Sequence, residues 1–575
     1  MYLCAERLFN LLLAGPAKRD RVVESASKIG LTRGWARRSV AKVGHKWGKV
    51  GHAGTDCIPI RRTSDEKYFH IAASGREVYR YIVGAVFQVN QEIPVQMTLR
   101  VILADPPNIK GNPYMLNCPN LGLLYLASSL RRELPGCEIT YIGAHNSMEQ
   151  HLSVVERIRP AIYGLSFTST FASRSLYLID RVKRANPDTL VVCGGAYPTV
   201  DACGVLNHSK ADICCIGEGE ITFVDIVRTL LAGVDWSTVP GIAYKNADRT
   251  IMFNRRRSLE SDLDSISFPA WDLVDFRIYQ GLRTRKKKLS TALVASRGCQ
   301  FDCVFCSSPV WKAQKPWLRK RSPDNIAEEV DLLYRMGIRE IYIRSDAMNA
   351  DVGWAIAVFD ALGDLQHRDL FFQCNLRGVP ITAELACSMR RAQCWICCIG
   401  VESGSERVLN GVRKRVSLPQ LESGLEILRE HHIAVYAFMM MYQAWESEWG
   451  LEFESTGEVL RSLAYVLRLR LRGMVRHMSW GFAVPYRGSE LARVAEKYFL
   501  LDRVNREHNP TTPNDIALSL PGVSYFEMRV AQALGLLLQG LFFVTSTDSY
   551  RKMTIVQNLK HAAMKASHLL GWENG

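Results

Sequence analysis

From residue 98 onward, short apolar runs alternate with longer stretches whose apolar positions recur every three or four residues. Runs at 100–104, 138–142, 161–167, 189–193 and 211–216 read as strands, and stretches at 121–134, 154–159 and 173–184 read as helices. Such alternation predicts an α/β domain over 97–245, built as a doubly wound, mostly parallel Rossmann-like sheet. The pattern loosens over 246–290, where Arg255-Arg256-Arg257 and Arg285-Lys286-Lys287-Lys288 read as a solvated linker. It resumes over 291–495, with strands at 291–295, 340–344, 370–375, 395–401, 434–440 and 475–483 separated by helices. Six such units predict a partial (β/α)6 barrel, with its chemistry at the C-terminal mouth. Residues 496–575 read as a helical C-terminal region, notably 525–544 and 552–570.

Composition narrows the class. The 575 residues are 47% hydrophobic and 22% charged, enough for two to four globular domains. The longest apolar run near the C-terminus, 533–544, is broken by Gln539 and falls short of the roughly 20 residues of a membrane span. A cytoplasmic protein without a membrane span is the expectation. The net charge of +15 is uneven: residues 1–96 hold 16 Lys and Arg against 8 Asp and Glu and show no sustained period. That segment reads as a poorly ordered basic extension, with Met97 as a candidate start; a nucleic-acid-binding arm is the competing reading. Nucleic acid is not an expected partner of the remainder.

Sixteen cysteines without a secretory signal point to a reducing compartment. Cys299, Cys303 and Cys306 form a C-x3-C-x2-C run directly after the strand at 291–295. Three thiolates are one fewer than the usual shell of a [4Fe–4S] cluster, which leaves one iron open to a ligand. Zinc is the alternative, but no second knuckle follows at metal spacing. Cys394, Cys397 and Cys398 lie in an apolar run that reads as a buried strand.

The strand ends of the first domain carry Asp105-Pro106-Pro107-Asn108, Ser166-Phe167-Thr168, Gly194-Gly195 and Gly217-Glu218-Gly219-Glu220. Taken singly these are ordinary strand-to-helix turns. Placed together ahead of the cysteine motif, they resemble the cobalamin-binding domain of cobalamin-dependent radical S-adenosylmethionine (SAM) enzymes. The resemblance implies that Ser166, Thr168, Gly194, Gly195 and Glu218 bind cobalamin. The Asp-x-His-x-x-Gly stretch that ligates cobalt in methionine-synthase-like proteins is absent after Ala104, and His145 is the one candidate substitute.

The barrel resembles the radical SAM core in the cysteine motif and in Gly400-Val401-Glu402-Ser403-Gly404. The likeness implies cluster ligation by Cys299, Cys303 and Cys306, and SAM contacts from Phe305, Asp346, Arg377, Glu402 and Ser403. The turn Met441-Tyr442-Gln443-Ala444-Trp445-Glu446 departs from the family's Gly-x-Pro-Gly-Glu, so its residues line a substrate pocket or a plain packed loop. The family chemistry implied is reductive cleavage of SAM to a 5′-deoxyadenosyl radical, with cobalamin carrying a methyl group. A C-methyltransferase acting on an unactivated carbon of a small-molecule or natural-product precursor is therefore expected, served by an electron donor such as flavodoxin or ferredoxin. A cyclase, oxidase or rearrangement enzyme of the same cofactors, or an RNA-binding or RNA-modifying protein, are the alternatives.

Overall fold

The computed structural model describes residues 99–107, 118–279, 284–307, 312, 315–501 and 514–545. The basic extension at 1–96, Asn108 and the helix expected at 552–570 lie outside the described residues.

The first sheet is built from β1 (Leu99–Ala104), β2 (Cys137–Ile142), β3 (Ile162–Ser166), β4 (Leu190–Gly194), β5 (Ile213–Cys215), β6 (Ile242–Lys245) and β7 (Ile251–Phe253) in the order 2-1-3-4-5-6-7. The first five are parallel, and β6 and β7 add on antiparallel. The strands are apolar on both faces because helices cover both: α1 (Leu121–Glu133) and α4 (Glu220–Leu231) on one side, α2 (Met148–Ile158) and α3 (Ala172–Ala185) on the other. The order in which successive strands are added reverses between β1 and β3, the switch point at which doubly wound sheets bind ligands.

The segment expected as a solvated linker is only partly so. It supplies β7 at its start, and its Trp271 is buried, donating Nε1–H to Glu329 at 3.0 Å. Arg285 is buried, and the backbone N–H groups of Lys286 and Lys287 both bond the Glu340 carboxylate. A charge run reads as solvent-facing from sequence, yet here its backbone satisfies a buried acid.

The second sheet consists of β8 (Ser290–Val294), β11 (Glu340–Arg344), β12 (Phe371–Leu376), β13 (Cys394–Glu402), β14 (Ala434–Met441) and β17 (His477–Phe482), all parallel, in the order 17-14-13-12-11-8. Between them run α5 (Pro323–Arg335), α6 (Val352–Asp364), α7 (Ala383–Arg391), α8 (Leu418–Glu430) and α9 (Thr456–Leu471). This is the expected six-unit barrel. Two short ribbons decorate it: β9 (Ser296–Gly298) pairs with β10 (Leu318–Lys320), and β15 (Ala444–Ser447) with β16 (Gly450–Phe453). The helix α10 (Glu490–Lys497) follows β17. The last described helix, α11 (Tyr525–Val544), packs on β17 so closely that a Cβ on Gly535 would stand 2.1 Å from the Trp480 ring. It thereby covers an edge strand of the barrel.

One apolar core crosses from sheet domain to barrel. Leu121, Leu124 and Tyr125 of α1 belong to the same buried cluster as Ala292, Val304 and Ile326.

Candidate functional site

The carboxyl ends of the two parallel sheets face a shared cavity of about 430 Å³. Ser166, Gly194, Gly195, Gly217 and Glu218 line it from the first sheet; Tyr342, Arg344, Ser345, Asp346 and Asn375 line it from the barrel. Gly195 holds φ at +94°, and a Cβ there would lie 2.9 Å from Ser166 Oγ and Phe167 O, so only glycine lets the turn fold against that strand end. Around the Cβ position of Gly217, which has φ +91°, no atom of the described residues lies within 4 Å, which leaves bare backbone toward the cavity. Small residues, open backbone and a serine hydroxyl form a cradle suited to a large cofactor, so the residues present fit cobalamin.

Two of the residues expected at cobalamin stand differently. Thr168 is exposed at the start of a single 3-10 turn and is not among the cavity-lining residues. Glu218 lines the cavity, yet its carboxylate is paired with Arg319 at 2.5 Å and with Arg297 at 3.4 Å. Arg297 also bonds Glu220 at 2.6 Å, and its guanidinium lies over the Tyr125 ring. Arg297 and Arg319 are opposite one another in the β9–β10 ribbon, two residues before Cys299 in the case of Arg297. The four charges thus clamp the cysteine loop to the β5–α4 turn. Burial opposes the charge on Glu220, but the Arg297 guanidinium beside it outweighs this and holds its carboxyl below the ordinary range.

Where a cobalt-ligating histidine would be sought, the structure places a buried acid. Asp105, at the end of β1, accepts from Tyr141 Oη at 2.7 Å and Asn120 Nδ2 at 2.8 Å, and burial lifts its carboxyl to about 6. His145 is exposed after β2 and does not line the cavity.

Cys299 and Cys303 are buried, Cys306 is half-buried, and none of the three is in a disulfide. Among the described residues, no three Cys, His, Asp or Glu side chains are grouped so as to hold a metal ion. A cluster asks for something else, thiolates that reach separate irons. Arg377 Nη1 lies 3.7 Å from Cys303 Sγ, with its guanidinium 3.8 Å over the Phe301 ring, while its Nη2 is buried without a partner. Thiolates beside a fixed cation, and a guanidinium nitrogen left for an acceptor, suit a three-cysteine cluster and an anionic ligand beside it.

The Glu402-Ser403-Gly404 turn divides its labour. A Cβ on Gly400 would meet Glu402 Oε1 at 2.2 Å and Lys414 Nζ at 2.6 Å, which places the buried Glu402–Lys414 ion pair, 2.8 Å long, over the inner side of β13. Lys414 Nζ stands 5.8 Å from the Phe305 ring. Glu402 adopts φ +65°, backbone strain of the kind that clusters at binding sites. Ser403 is instead spent inside the fold: its hydroxyl donates to Glu454 Oε1 at 2.8 Å and lies 3.0 Å from Ser462 Oγ. Gly404 lets α9 approach, since a Cβ there would stand 2.7 Å from that of Tyr465. Phe305, Arg377 and Glu402 thus gather around the cysteine loop, Asp346 lies on the cavity wall, and Ser403 is structural. Sequence reading missed Lys414, Arg297 and Arg319, whose partners are remote in the chain; only the position of Arg297 inside the cysteine motif could have flagged it.

The comparisons with known proteins agree with this geometry. The B12 binding domain family matches residues 113–227, and the Radical SAM superfamily matches residues 293–446. The chain thus joins a B12-binding domain to a radical SAM core. It is 25% identical over 413 residues to an uncharacterized methyltransferase of Pyrococcus horikoshii, covering 71% of this chain and 85% of that one. It is 23% identical to the cytidylyl-2-hydroxyethylphosphonate methyltransferase of Streptomyces wedmorensis, covering 65% and 73%. Among solved structures it shares the fold of the cobalamin-dependent S-adenosylmethionine radical enzyme OxsB, solved with aqua-cobalamin and S-adenosylmethionine, at a TM-score of 0.59 and 17% identity over 82% of this chain and 71% of that one.

Proposed function

We propose that this protein is a C-methyltransferase that uses a [4Fe–4S] cluster, SAM and cobalamin to methylate an unactivated carbon of a small molecule. The observation that carries the reading is the single cavity into which both sheets point their carboxyl ends, with the Ser166 and Gly194-Gly195 turns opposite Asp346 and Asn375. When bound, the cluster supplies one electron to SAM and cobalamin supplies the transferable methyl group.

The chain's own residues do the positioning. Cys299, Cys303 and Cys306 hold the cluster, and Arg377 offsets thiolate charge through its contact with Cys303. Its spare Nη2 is placed for the carboxylate of SAM. Glu402 and Lys414 present one negative and one positive group beside Phe305, which fits a zwitterionic ligand with an aromatic base. Ser166, Gly194, Gly195 and Gly217 cradle cobalamin. The Arg297, Arg319, Glu218 and Glu220 clamp fixes the cysteine loop against that cradle, so the two cofactors keep one separation. Enclosure between two domains keeps water from a reactive radical. A cytoplasmic location and a flavodoxin- or ferredoxin-type donor complete the reading.

The test is anaerobic purification with cobalamin supplied, followed by an absorption spectrum, an iron and cobalt count and turnover with methyl-labelled SAM. About four irons, one cobalt and label in the product are expected. Deoxyadenosine formed without label in any product would replace methylation by cyclisation or rearrangement.

A further inference from the structure

Two glutamates four residues apart, Glu454 and Glu458, stand behind the Glu402-Ser403-Gly404 turn in opposite surroundings. Glu458, in the first turn of α9, takes the donors. Arg407 reaches it with Nε at 3.0 Å and Nη2 at 2.7 Å, Ser405 with its hydroxyl at 2.9 Å, and Ser455 with both its backbone N–H and its hydroxyl. Burial works against the charge on Glu458, but the Arg407 guanidinium and the serine donors outweigh it and hold its carboxyl at about 2. Glu454, between β16 and the Ser455 cap of α9, is fully buried and has no salt bridge among the described residues. Its carboxyl meets only the Ser403 hydroxyl at 2.8 Å and the backbone N–H of Gln443 at 3.4 Å. The titratable groups facing it are Glu458 from α9 and Tyr442 from the end of β14, while the cations Arg407 and Lys414 are paired with Glu458 and Glu402. A buried carboxyl with so few donors and a like charge beside it favours the neutral form.

The hydrogens, counted from the geometry alone, agree. Three oxygen-to-oxygen contacts run in series: Glu454 Oε1 to Ser403 Oγ at 2.8 Å, Ser403 Oγ to Ser462 Oγ at 3.0 Å, and Ser462 Oγ to the Glu458 carbonyl oxygen at 3.0 Å. Two serine hydroxyls own two hydrogens, one fewer than the contacts require. With Glu454 ionised, Ser403 donates to it and one of the other contacts lacks a hydrogen. With Glu454 protonated the sense reverses: the acid donates to Ser403, Ser403 to Ser462, and Ser462 to the carbonyl. The turn's own N–H groups then take the remaining lone pairs, Ser405 N donating to Ser403 Oγ at 3.2 Å and Gly404 N to Ser462 Oγ at 2.8 Å. Each hydroxyl donates once and accepts twice.

We infer that Glu454 is a neutral carboxylic acid in the folded protein and a positioning residue for the SAM-binding turn. As the donor at the head of the series it holds Ser403, Gly404 and Ser405 from behind, and so fixes Glu402 and its Lys414 partner beside Phe305. The inference rests on the reading of that turn as a SAM contact and adds what keeps the turn in place. Burial raises the Glu454 carboxyl to about 8. Below that pH the series is complete; above it the proton leaves, a second negative charge stands beside Glu458, and the turn loses its support. One pH unit higher, about a tenth of the molecules keep the acid form, which weakens apparent SAM binding about tenfold.

Two measurements test this. The infrared spectrum of the full chain at pH 7, minus that of Glu454→Gln, should show the carbonyl stretch of a protonated carboxylic acid, fading as pH rises through about 8. Absence of that band at pH 7 would overturn the inference. Equilibrium dialysis of the cluster-loaded enzyme against labelled SAM, without reductant, then follows affinity from pH 6.5 to 9. The wild type should weaken about tenfold across that range. Glu454→Gln, which keeps a donor for Ser403 at every pH, should bind within about threefold of the wild type at pH 7 and lose the pH dependence. Glu454→Leu should bind more than about tenfold more weakly throughout. Iron content and melting temperature report whether each variant folds. Titration of SAM itself is common to all three, so an equal pH dependence in the wild type and Glu454→Gln would overturn the positioning role. A fully iron-loaded wild type that binds no SAM at any pH would instead overturn the reading of the turn as a SAM contact, while the infrared band still decides the state of the acid.

Discussion

Two buried titratable residues give this protein opposite pH sensitivities. His151 in α2 is fully buried, with Nδ1 2.9 Å from Tyr163 Oη and Nε2 unpartnered, and burial pushes its imidazolium pKa down from 6.5 to about 4. Above pH 6.5 both folded and unfolded chains hold it neutral. Between 6.5 and 4 only the unfolded chain takes the proton, so stability falls with acidity by about 3 kcal/mol from this residue. Urea titrations at pH 7.5 and 5 should show the loss, and His151→Gln, which keeps a partner for Tyr163, should flatten it. Glu454 behaves in the reverse sense: burial raises its carboxyl to about 8. Its contribution is complete below pH 4.5 and is lost as pH rises toward 8, so Glu454→Gln should raise the melting temperature more at pH 8 than at pH 6. An equal shift at both values would mean that the acid is ionised in the fold. Cys303→Ala should lose most of its iron, because two thiolates remain for a cluster that needs three.

At the scale of elements, the ribbon β9–β10 and the β5–α4 turn act as one unit through four charges. Removing Glu220 leaves the Arg297 guanidinium with only its longer, 3.4 Å contact to Glu218, which costs about 1–3 kcal/mol. Glu220→Ala should therefore destabilise the protein by that order in urea and also lower iron retained after gel filtration, since its partner Arg297 precedes Cys299 by two residues. Full iron retention with the stability loss would confine the clamp to a structural role. Most elements were legible in the sequence: the strand at 340–344 and the helices at 456–471 and 525–544 have the bounds their periodicity predicts. The two antiparallel strands at the sheet edge were not. β6 and β7 are short, and β7 is mostly exposed, so they carry little hydrophobic signal of their own.

Across the whole molecule, the shared core under α1 makes the sheet domain and barrel mutually dependent. Leu121, Leu124 and Tyr125 would be exposed if either half unfolded alone. Calorimetry should show one transition for the two domains, and two well-separated transitions would contradict the shared core. No helix among the described residues is long and apolar enough to cross a membrane.

The sequence by itself determined the two parallel sheets, the cysteine loop after β8 and the glycine turns, because each depends on local periodicity or on residues close together in the chain. Only the tertiary structure decided which of the marked residues face a ligand. It set Asp346 and Ser166 on one cavity, turned Ser403 inward to Glu454, paired Glu402 with Lys414 and committed Glu218 to Arg319. A motif records which side chains are available, whereas the register of strands far apart in sequence decides which way each one points.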